Sequence, residues 1–179
     1  MKFLTRKLGL LGALLALIPL GIVLAPSASA SAKPPDNIVN WNTQGAICLG
    51  ISGGKTDAPA VVWTCNTHAD QLWRQGKEYG RTGYYQLVNN HNQCLGVSGG
   101  STKEGARVVS WTCLTGHKDQ YWKWDTTRNC SYDYLTYNTL DNLKSRYVLG
   151  IAGNSSKSGA AVVIWRYQGK CNNQFWDYY

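Results

Sequence analysis

Between Cys94 and Trp122 the chain reads Cys-Leu-Gly-Val-Ser-Gly-Gly at 94–100, Val-Val-Ser-Trp-Thr-Cys at 108–113 and Asp-Gln-Tyr-Trp at 119–122. An earlier copy of this pattern reads Cys-Leu-Gly-Ile-Ser-Gly-Gly at 48–54, Val-Val-Trp-Thr-Cys at 61–65 and Asp-Gln-Leu-Trp at 70–73. A later, looser copy reads Val-Leu-Gly-Ile-Ala-Gly at 148–153, Val-Val-Ile-Trp-Arg-Tyr at 162–167 and Asn-Gln-Phe-Trp at 173–176. Three copies of one unit predict a fold built from three equivalent parts.

The first 32 residues have the features of a secretory signal peptide. Lys2, Arg6 and Lys7 precede an apolar run at 8–24, and small residues follow at 28–32. A membrane anchor is the alternative, because the run is near the ~17-residue minimum for a spanning helix. Two Ala-Ser-Ala sites favour cleavage, which after Ala32 would leave 147 of the 179 residues. We therefore expect a secreted, monomeric protein with one domain and no membrane association.

The charge of the chain does not indicate a nucleic-acid partner. The formal net charge is +8, and it falls to +5 without the three basic residues of the leader. Lysine and arginine are scattered singly, with no run of three, so a solvated basic surface is the better interpretation.

Six cysteines in an exported chain predict disulfides rather than a metal site. Cys48 and Cys65 occupy the same places in their copy as Cys94 and Cys113 in theirs, and both places lack cysteine in the third copy. The simplest pairing is therefore Cys48–Cys65 and Cys94–Cys113, which leaves Cys130 to pair with Cys171. No Cys-x-x-Cys occurs, and zinc sites usually need such close pairs.

The rest of the pattern predicts short strands and turns. An extended lead-in at 33–36 contains two successive prolines. No segment has a sustained helical period, and turn signals such as Gly53-Gly54 and Gly99-Gly100 recur at short intervals. Four strands are expected in each copy: near 38–41, 46–51, 60–63 and 71–74, then 84–89, 93–97, 107–112 and 120–124, then 135–138, 147–151, 161–165 and 174–178. Twelve strands could form a barrel, a sandwich or a three-bladed propeller.

The Gln-x-Trp motif favours the barrel. It occurs at 71–73, 120–122 and 174–176. Residues i and i+2 of a strand share a face, so each Gln points the same way as its Trp. A buried Trp removes ~200 Å² from water, and a Gln beside it can satisfy buried backbone groups.

These residues resemble the ricin-type β-trefoil lectin family over 37–179, and the chain is similar to small secreted actinobacterial members. The resemblance implies an all-β, disulfide-stabilised β-trefoil with three pseudo-symmetric repeats of four strands, at about 37–83, 84–130 and 131–179. It also implies carbohydrate binding in shallow pockets, one per repeat, for galactose-type sugars or cell-wall polysaccharide. In the family an aromatic ring stacks on the sugar and polar side chains bind its hydroxyls. The residues that match are Trp63, Asp70 and Gln71, then Trp111, Asp119 and Gln120, then Trp165, Asn173 and Gln174.

One position departs from the family pattern. The Asp that commonly follows Cys-Leu and accepts two sugar hydroxyls is replaced by Gly50, Gly96 and Gly150. A buried hydroxyl without an acceptor forfeits ~1–3 kcal/mol. The resemblance therefore predicts the fold well, but it predicts the sugar specificity poorly.

Other interpretations of these residues remain open. The three Trp side chains of the Val-Val-x-Trp segments could be packing residues, the two Asp could cap turns, and the three Gln could be structural. His68 and His117 occupy matching loop positions, which indicates loop packing rather than a metal or catalysis. The acids lie in equivalent repeat positions that point away from one another, so we expect no glycosidase pair, no other catalytic residue and no cofactor. A trefoil that binds or inhibits a protein is the alternative function.

Overall fold

The computed structural model describes residues 35–43, 46–132 and 135–179, without the side chains of Tyr132 and Leu135. The predicted signal peptide at 1–32 lies outside the described residues, and Asp36 of the expected lead-in begins the first strand. Within these ranges the strands are β1 (Asp36–Asn40), β2 (Ile47–Ile51), β3 (Ala60–Thr64), β4 (Leu72–Glu78), β5 (Tyr85–Asn89), β6 (Gln93–Val97), β7 (Val108–Thr112), β8 (Tyr121–Tyr132), β9 (Leu135–Asn142), β10 (Val148–Ile151), β11 (Val162–Trp165) and β12 (Trp176–Tyr178). Short 3₁₀ helices lie at Trp41–Thr43, Ser98–Gly100, Lys118–Gln120 and Ala152–Asn154.

Six of these strands close a barrel. Around the barrel the order of the strands is β1, β4, β5, β8, β9 and β12. Each strand pairs antiparallel with the next, and β12 pairs with β1. The other six form the hairpins β2–β3, β6–β7 and β10–β11. Each sequence copy thus supplies two barrel strands and one hairpin. The fold is the predicted β-trefoil, and closure of the barrel leaves its six strands without an exposed edge.

The Gln-x-Trp indoles form the centre of the core. Trp73, Trp122 and Trp176 are at most 1% exposed. Each indole Nε1 donates a hydrogen bond to the carbonyl of the Leu in its own repeat's Cys-Leu or Val-Leu pair, and the three distances are 2.9, 2.9 and 3.1 Å. Buried polar groups that are paired in this way carry no desolvation penalty. The same bond in all three repeats shows that the interior follows the threefold pattern.

Three disulfides are present, and they join the pairs predicted from the repeats: Cys48–Cys65, Cys94–Cys113 and Cys130–Cys171. Two of them close the matching hairpins, and the third ties β8 to the segment before β12. A bridge of this kind contributes about 2–4 kcal/mol by restricting the unfolded chain.

Three barrel strands extend further than the sequence predicted. The strand β4, predicted to end near residue 74, continues to Glu78. β8 continues from Trp124, where its predicted strand ended, to Tyr132, and its partner β9 continues to Asn142. The register shifts between Asp125 and Asn129. Arg128 then forms ion pairs of 3.1 Å with Asp125 and with Asp141 on the facing strand. The polar stretch has no alternating pattern, so only pairing with β9 makes it a strand.

Among the described residues, no helix has the length and apolar character needed to cross a membrane.

Candidate functional site

The hairpins carry a second set of indoles, which face the surface. Trp63, Trp111 and Trp165 lie near the ends of β3, β7 and β11, opposite Cys48, Cys94 and Val148. Trp111 is 39% exposed, Trp165 is 38% exposed and Trp63 is half-buried. Each repeat therefore has a Gln-x-Trp indole in the core and a hairpin indole that is partly exposed to solvent.

Each surface indole lines a pocket, named here by its repeat. The first pocket, about 680 Å³, contains Trp63, Asp70, Gln71, His68, His91 and Ser158. The second pocket, about 510 Å³, contains Trp111, Asp119, Gln120, His117, Asp57 and Lys144. The third pocket, about 360 Å³, contains Trp165, Asn173, Gln174, Gln168, Gly105 and Asn154. The structure thus brings the predicted Trp, Asp or Asn, and Gln of each repeat together.

The glutamines hold the backbone of the pockets. Gln71, Gln120 and Gln174 are 1% exposed. Their Oε1 atoms accept hydrogen bonds of 3.0, 2.8 and 3.0 Å from the backbone N–H of residues 66, 114 and 168. Their Nε2 atoms donate to the carbonyls of residues 64, 112 and 166. Both ends of each amide are therefore occupied, as the structural interpretation of these residues expects.

The glycines that replace the family's Asp make room for other carboxylates. A Cβ built on Gly50 would lie 3.3 Å from Oδ2 of Asp70 and 3.1 Å from Cδ1 of Trp63. A Cβ built on Gly96 would lie 3.6 Å from Oδ2 of Asp119. The carboxylates of Asp70 and Asp119 therefore lie over these glycines, in the space that a side chain from the strand would occupy. The sequence alone did not reveal this, because residues 50 and 70 are neighbours only in the folded chain.

The third pocket lacks this carboxylate. Its counterpart, Asn173, is 6% exposed and donates its amide Nδ2 to the carbonyl of Ile151. No Asp, Glu, His, Lys or Arg is among the described residues that line this pocket. Glu104 and Arg166 lie beside it and form an ion pair of 2.5 Å. The Arg166 side-chain hydrogen bonds hold the pKa of Glu104 below its usual range.

Every pocket is completed by a loop from a different repeat. The backbone N–H of Gly159, Asp57 and Gly105 donates to the carbonyl of the residue before Trp63, Trp111 and Trp165, over 2.6, 2.7 and 2.8 Å. The three hydrogen bonds link repeat three to one, one to two, and two to three. They close a ring around the pseudo-threefold axis.

The sequence analysis missed this contribution of Asp57. The signal was the alignment of Asp57 with Gly105 and Gly159, one position before an Ala in every copy.

The histidines lie at the pocket rims. His68 and His117 are exposed, and each lies in the loop three residues before the Gln of its Gln-x-Trp motif. No group of three or more His, Cys, Asp and Glu side chains in the described part of the chain is placed to hold a metal ion.

Comparison with known families agrees with this architecture. A sequence profile described as "Ricin-type beta-trefoil lectin domain-like" matches residues 37–111 and 71–165, which together span more than half of the chain. A search of curated protein sequences found no significant match.

Several solved structures share the fold. A designed threefold symmetric protein, ThreeFoil, has a TM-score of 0.67 and 25% identity over 80% of this chain and 96% of its own. An exo-β-1,3-galactanase from Clostridium thermocellum has a TM-score of 0.69 and 24% identity over 83% of this chain, which spans 30% of the enzyme. The C-half of an earthworm R-type lectin, solved in complex with GalNAc, has a TM-score of 0.56 and 17% identity over 82% of this chain and 100% of its own. The chain belongs to the ricin-type β-trefoil lectin domain-like family.

Proposed function

We propose that the protein is a secreted, non-catalytic carbohydrate-binding module that holds units of a polysaccharide in shallow pockets, weakly at each site. The family and the lectins among the similar structures support carbohydrate binding in general. One observation supports the sites. In the first and second pockets a surface indole shares the pocket with a carboxylate, and Gly50 or Gly96 leaves room for that carboxylate because it has no side chain.

The indole and the carboxylate suit different faces of a sugar. The apolar face of a pyranose ring can stack on Trp63 or Trp111, which removes apolar surface from water. The carboxylate of Asp70 or Asp119 has acceptor sites for two neighbouring hydroxyls. Hydrogen bonds to a charged group contribute roughly 1.5–3 kcal/mol each. Gln71 and Gln120 keep this arrangement in place through the backbone.

The pockets are open and shallow, which favours a polymer over a free monosaccharide. A weak second contact becomes intramolecular once the first has formed, so three sites on one rigid body gain by avidity. The galactose-type sugars and cell-wall polysaccharides implied by the family are the first candidates. The third pocket, with Asn173 in place of an acid, should contribute least.

The acids of the pockets do not resemble a glycosidase pair. In glycosidases such as lysozyme, the carboxyl group that acts as general acid lies in an apolar, desolvated setting. Asp57 is exposed, and Asp70 and Asp119 retain partial exposure. A panel of chromogenic glycosides should therefore stay colourless, and release of colour would contradict the non-catalytic part of the proposal.

The decisive experiment is a glycan-library titration with a polysaccharide pull-down. Single changes Trp63→Ala and Trp111→Ala should lower retention roughly tenfold, because each removes both stacking area and one of the avid sites. Trp165→Ala should lower it less. Tyr179→Ala is the matched control, since this side chain is 75% exposed and lies outside the three pockets.

The alternative is a trefoil that binds or inhibits a protein. If the folded wild-type protein retains no glycan of the library, the carbohydrate proposal is wrong and this alternative is favoured. Equal retention by wild type and all three Trp variants would also overturn the assignment of the sites.

A further inference from the structure

The second pocket differs from the others at the loop residue that borders its indole. At the third pocket a Cβ built on Gly105 would lie 3.0 Å from Cζ3 of Trp165, and at the first pocket a Cβ on Gly159 would lie 3.5 Å from Cζ3 of Trp63. Both contacts are with the six-membered ring. Asp57 makes the matching backbone hydrogen bond, to Ser110, and it lines the pocket of Trp111.

Asp57 adopts a backbone conformation that suits glycine better. Its φ is +64°, and the glycines at the matching positions have φ of +80° and +85°. A residue with a side chain is uncommon in this region, although Asp tolerates it better than most. A strained residue at a pocket is a reason to look for a functional role.

Two carboxylates line the second pocket beside its indole. Asp119 Oδ2 lies over Gly96, and Asp57 belongs to the loop of the preceding repeat that hydrogen bonds to Ser110. The first pocket has one carboxylate, from Asp70, and the third has none among its described lining residues. A sugar stacked on Trp111 would therefore meet acids from two different repeats.

A lysine lies near one of these acids. The Lys144 Nζ lies 2.5 Å and the Asp119 Oδ1 lies 3.6 Å from a Cβ built on Gly100, so these groups are neighbours. Among the described residues, the carboxylate of Asp57 has no hydrogen-bond or ion-pair partner. The pocket thus offers a cation the unpaired carboxylate of Asp57 together with an indole, whose face also attracts cations.

We propose that the second pocket selects a sugar that carries a free, protonated amine, with the ammonium group between Asp57 and the indole of Trp111. The inference rests on the proposed carbohydrate binding and names the sugar class for one of its sites. An ammonium donates charge-assisted hydrogen bonds, which are roughly twice as strong as neutral ones. N-acetylation removes the charge, and an acidic sugar would meet repulsion from Asp57.

The test compares polymers that differ only in N-acetylation. Polymers bearing 2-amino-2-deoxyglucose or 2-amino-2-deoxygalactose are immobilised beside their N-acetylated forms and a uronic-acid polymer, at about pH 6, where a hexosamine amine is charged and carboxylates are ionised. The variants are Asp57→Gly, which installs the residue of the other two repeats, Asp57→Asn, and Trp111→Ala. Glu78→Gln is the control for net charge, because Glu78 lies on the barrel strand β4 and lines none of the three pockets.

Wild type and Glu78→Gln should bind one or both free-amine polymers about five- to tenfold more tightly than the N-acetylated form, which is the ratio for a charge-assisted bond. Asp57→Gly and Asp57→Asn should bring this ratio close to one while neutral glycans are still retained. Trp111→Ala should lower the binding of both the free-amine polymers and the N-acetylated polymers. An unchanged ratio in the Asp57 variants, a preference for the uronic-acid polymer, or equal binding of amine and N-acetyl forms by wild type would overturn the inference alone. Loss of all glycan binding by wild type would overturn the proposed function instead.

Discussion

The core and the rim of this trefoil follow the threefold pattern to different degrees. In the core, Trp73, Trp122 and Trp176 make the same hydrogen bond in the same setting. At the rim the surface indoles have three different settings. The first pocket has one carboxylate and two histidines, the second has two carboxylates, a lysine and a histidine, and the third has no charged group among its described lining residues. Close packing restricts which side chains fit at the three core positions. Side chains at solvent-exposed positions can change with little loss of stability.

The largest expected effect is the difference in stability between two variants of the same repeat, one that removes a core indole and one that removes a rim indole. Trp122→Ala should lower the free energy of unfolding by about 3–5 kcal/mol, because it leaves a cavity and an unpaired Leu95 carbonyl. Trp111→Ala should lower it by only about 1–2 kcal/mol, since the residue is already 39% exposed and its removal leaves no enclosed cavity. Denaturant unfolding of the two variants measures this. Equal losses would show that Trp111 is a packing residue, which is the structural alternative for it.

A smaller effect is expected when the family's Asp is restored at the floor of the first pocket. Gly50→Asp places a Cβ 3.0 Å from Cγ of Gln71 and 3.1 Å from Cδ1 of Trp63, and it brings a second carboxylate close to Asp70. We expect a loss of about 1–3 kcal/mol in unfolding free energy from overpacking, and weaker glycan retention.

Combining this change with Asp70→Asn should recover part of the retention, because one carboxylate then occupies the site. The matched control is Gly96→Ala, which adds a Cβ to the second pocket without a charge. If Gly50→Asp alone retains glycans as well as wild type, the carboxylate of Asp70 is not an acceptor in the first pocket.

The smallest expected effect concerns the Glu104–Arg166 pair beside the third pocket. The hydrogen bonds from Arg166 lower the pKa of Glu104, so the pair contributes above the ordinary carboxyl pKa and its contribution is lost as the pH falls through the lowered value. Glu104→Gln should remove this pH dependence with little change in stability, because the pair is exposed. Amide exchange at Gly105 is the measurement. The exchange rates are converted to protection factors, which removes the intrinsic pH dependence of amide exchange. A wild-type protection factor that stays flat across the carboxyl range would contradict the link between the pair and the pocket loop.

The sequence alone was enough to predict the trefoil and the Gln-x-Trp indoles at the centre of its core. Three Gln-x-Trp motifs with matched cysteines repeat the same local pattern, and identical local patterns must pack alike around one axis. The disulfide pairs and most strand positions follow from that repetition. The ends of β8 and β9 do not, since their polar residues become strands only by pairing with each other.

The candidate sites were predicted in part. The repeats place Trp63, Trp111 and Trp165 in equivalent hairpin positions, so their grouping with the Gln-x-Trp loops could be read from the chain. Only the tertiary structure showed that Asp70 and Asp119 lie over Gly50 and Gly96, and that Asp57 reaches the pocket of the next repeat. These contacts join residues about 20 or more positions apart, and their geometry depends on how the closed ring of repeats positions each loop. Periodicity within a repeat carries no information about that closure, which is why the sequence determined the fold and the structure decided the composition of each pocket.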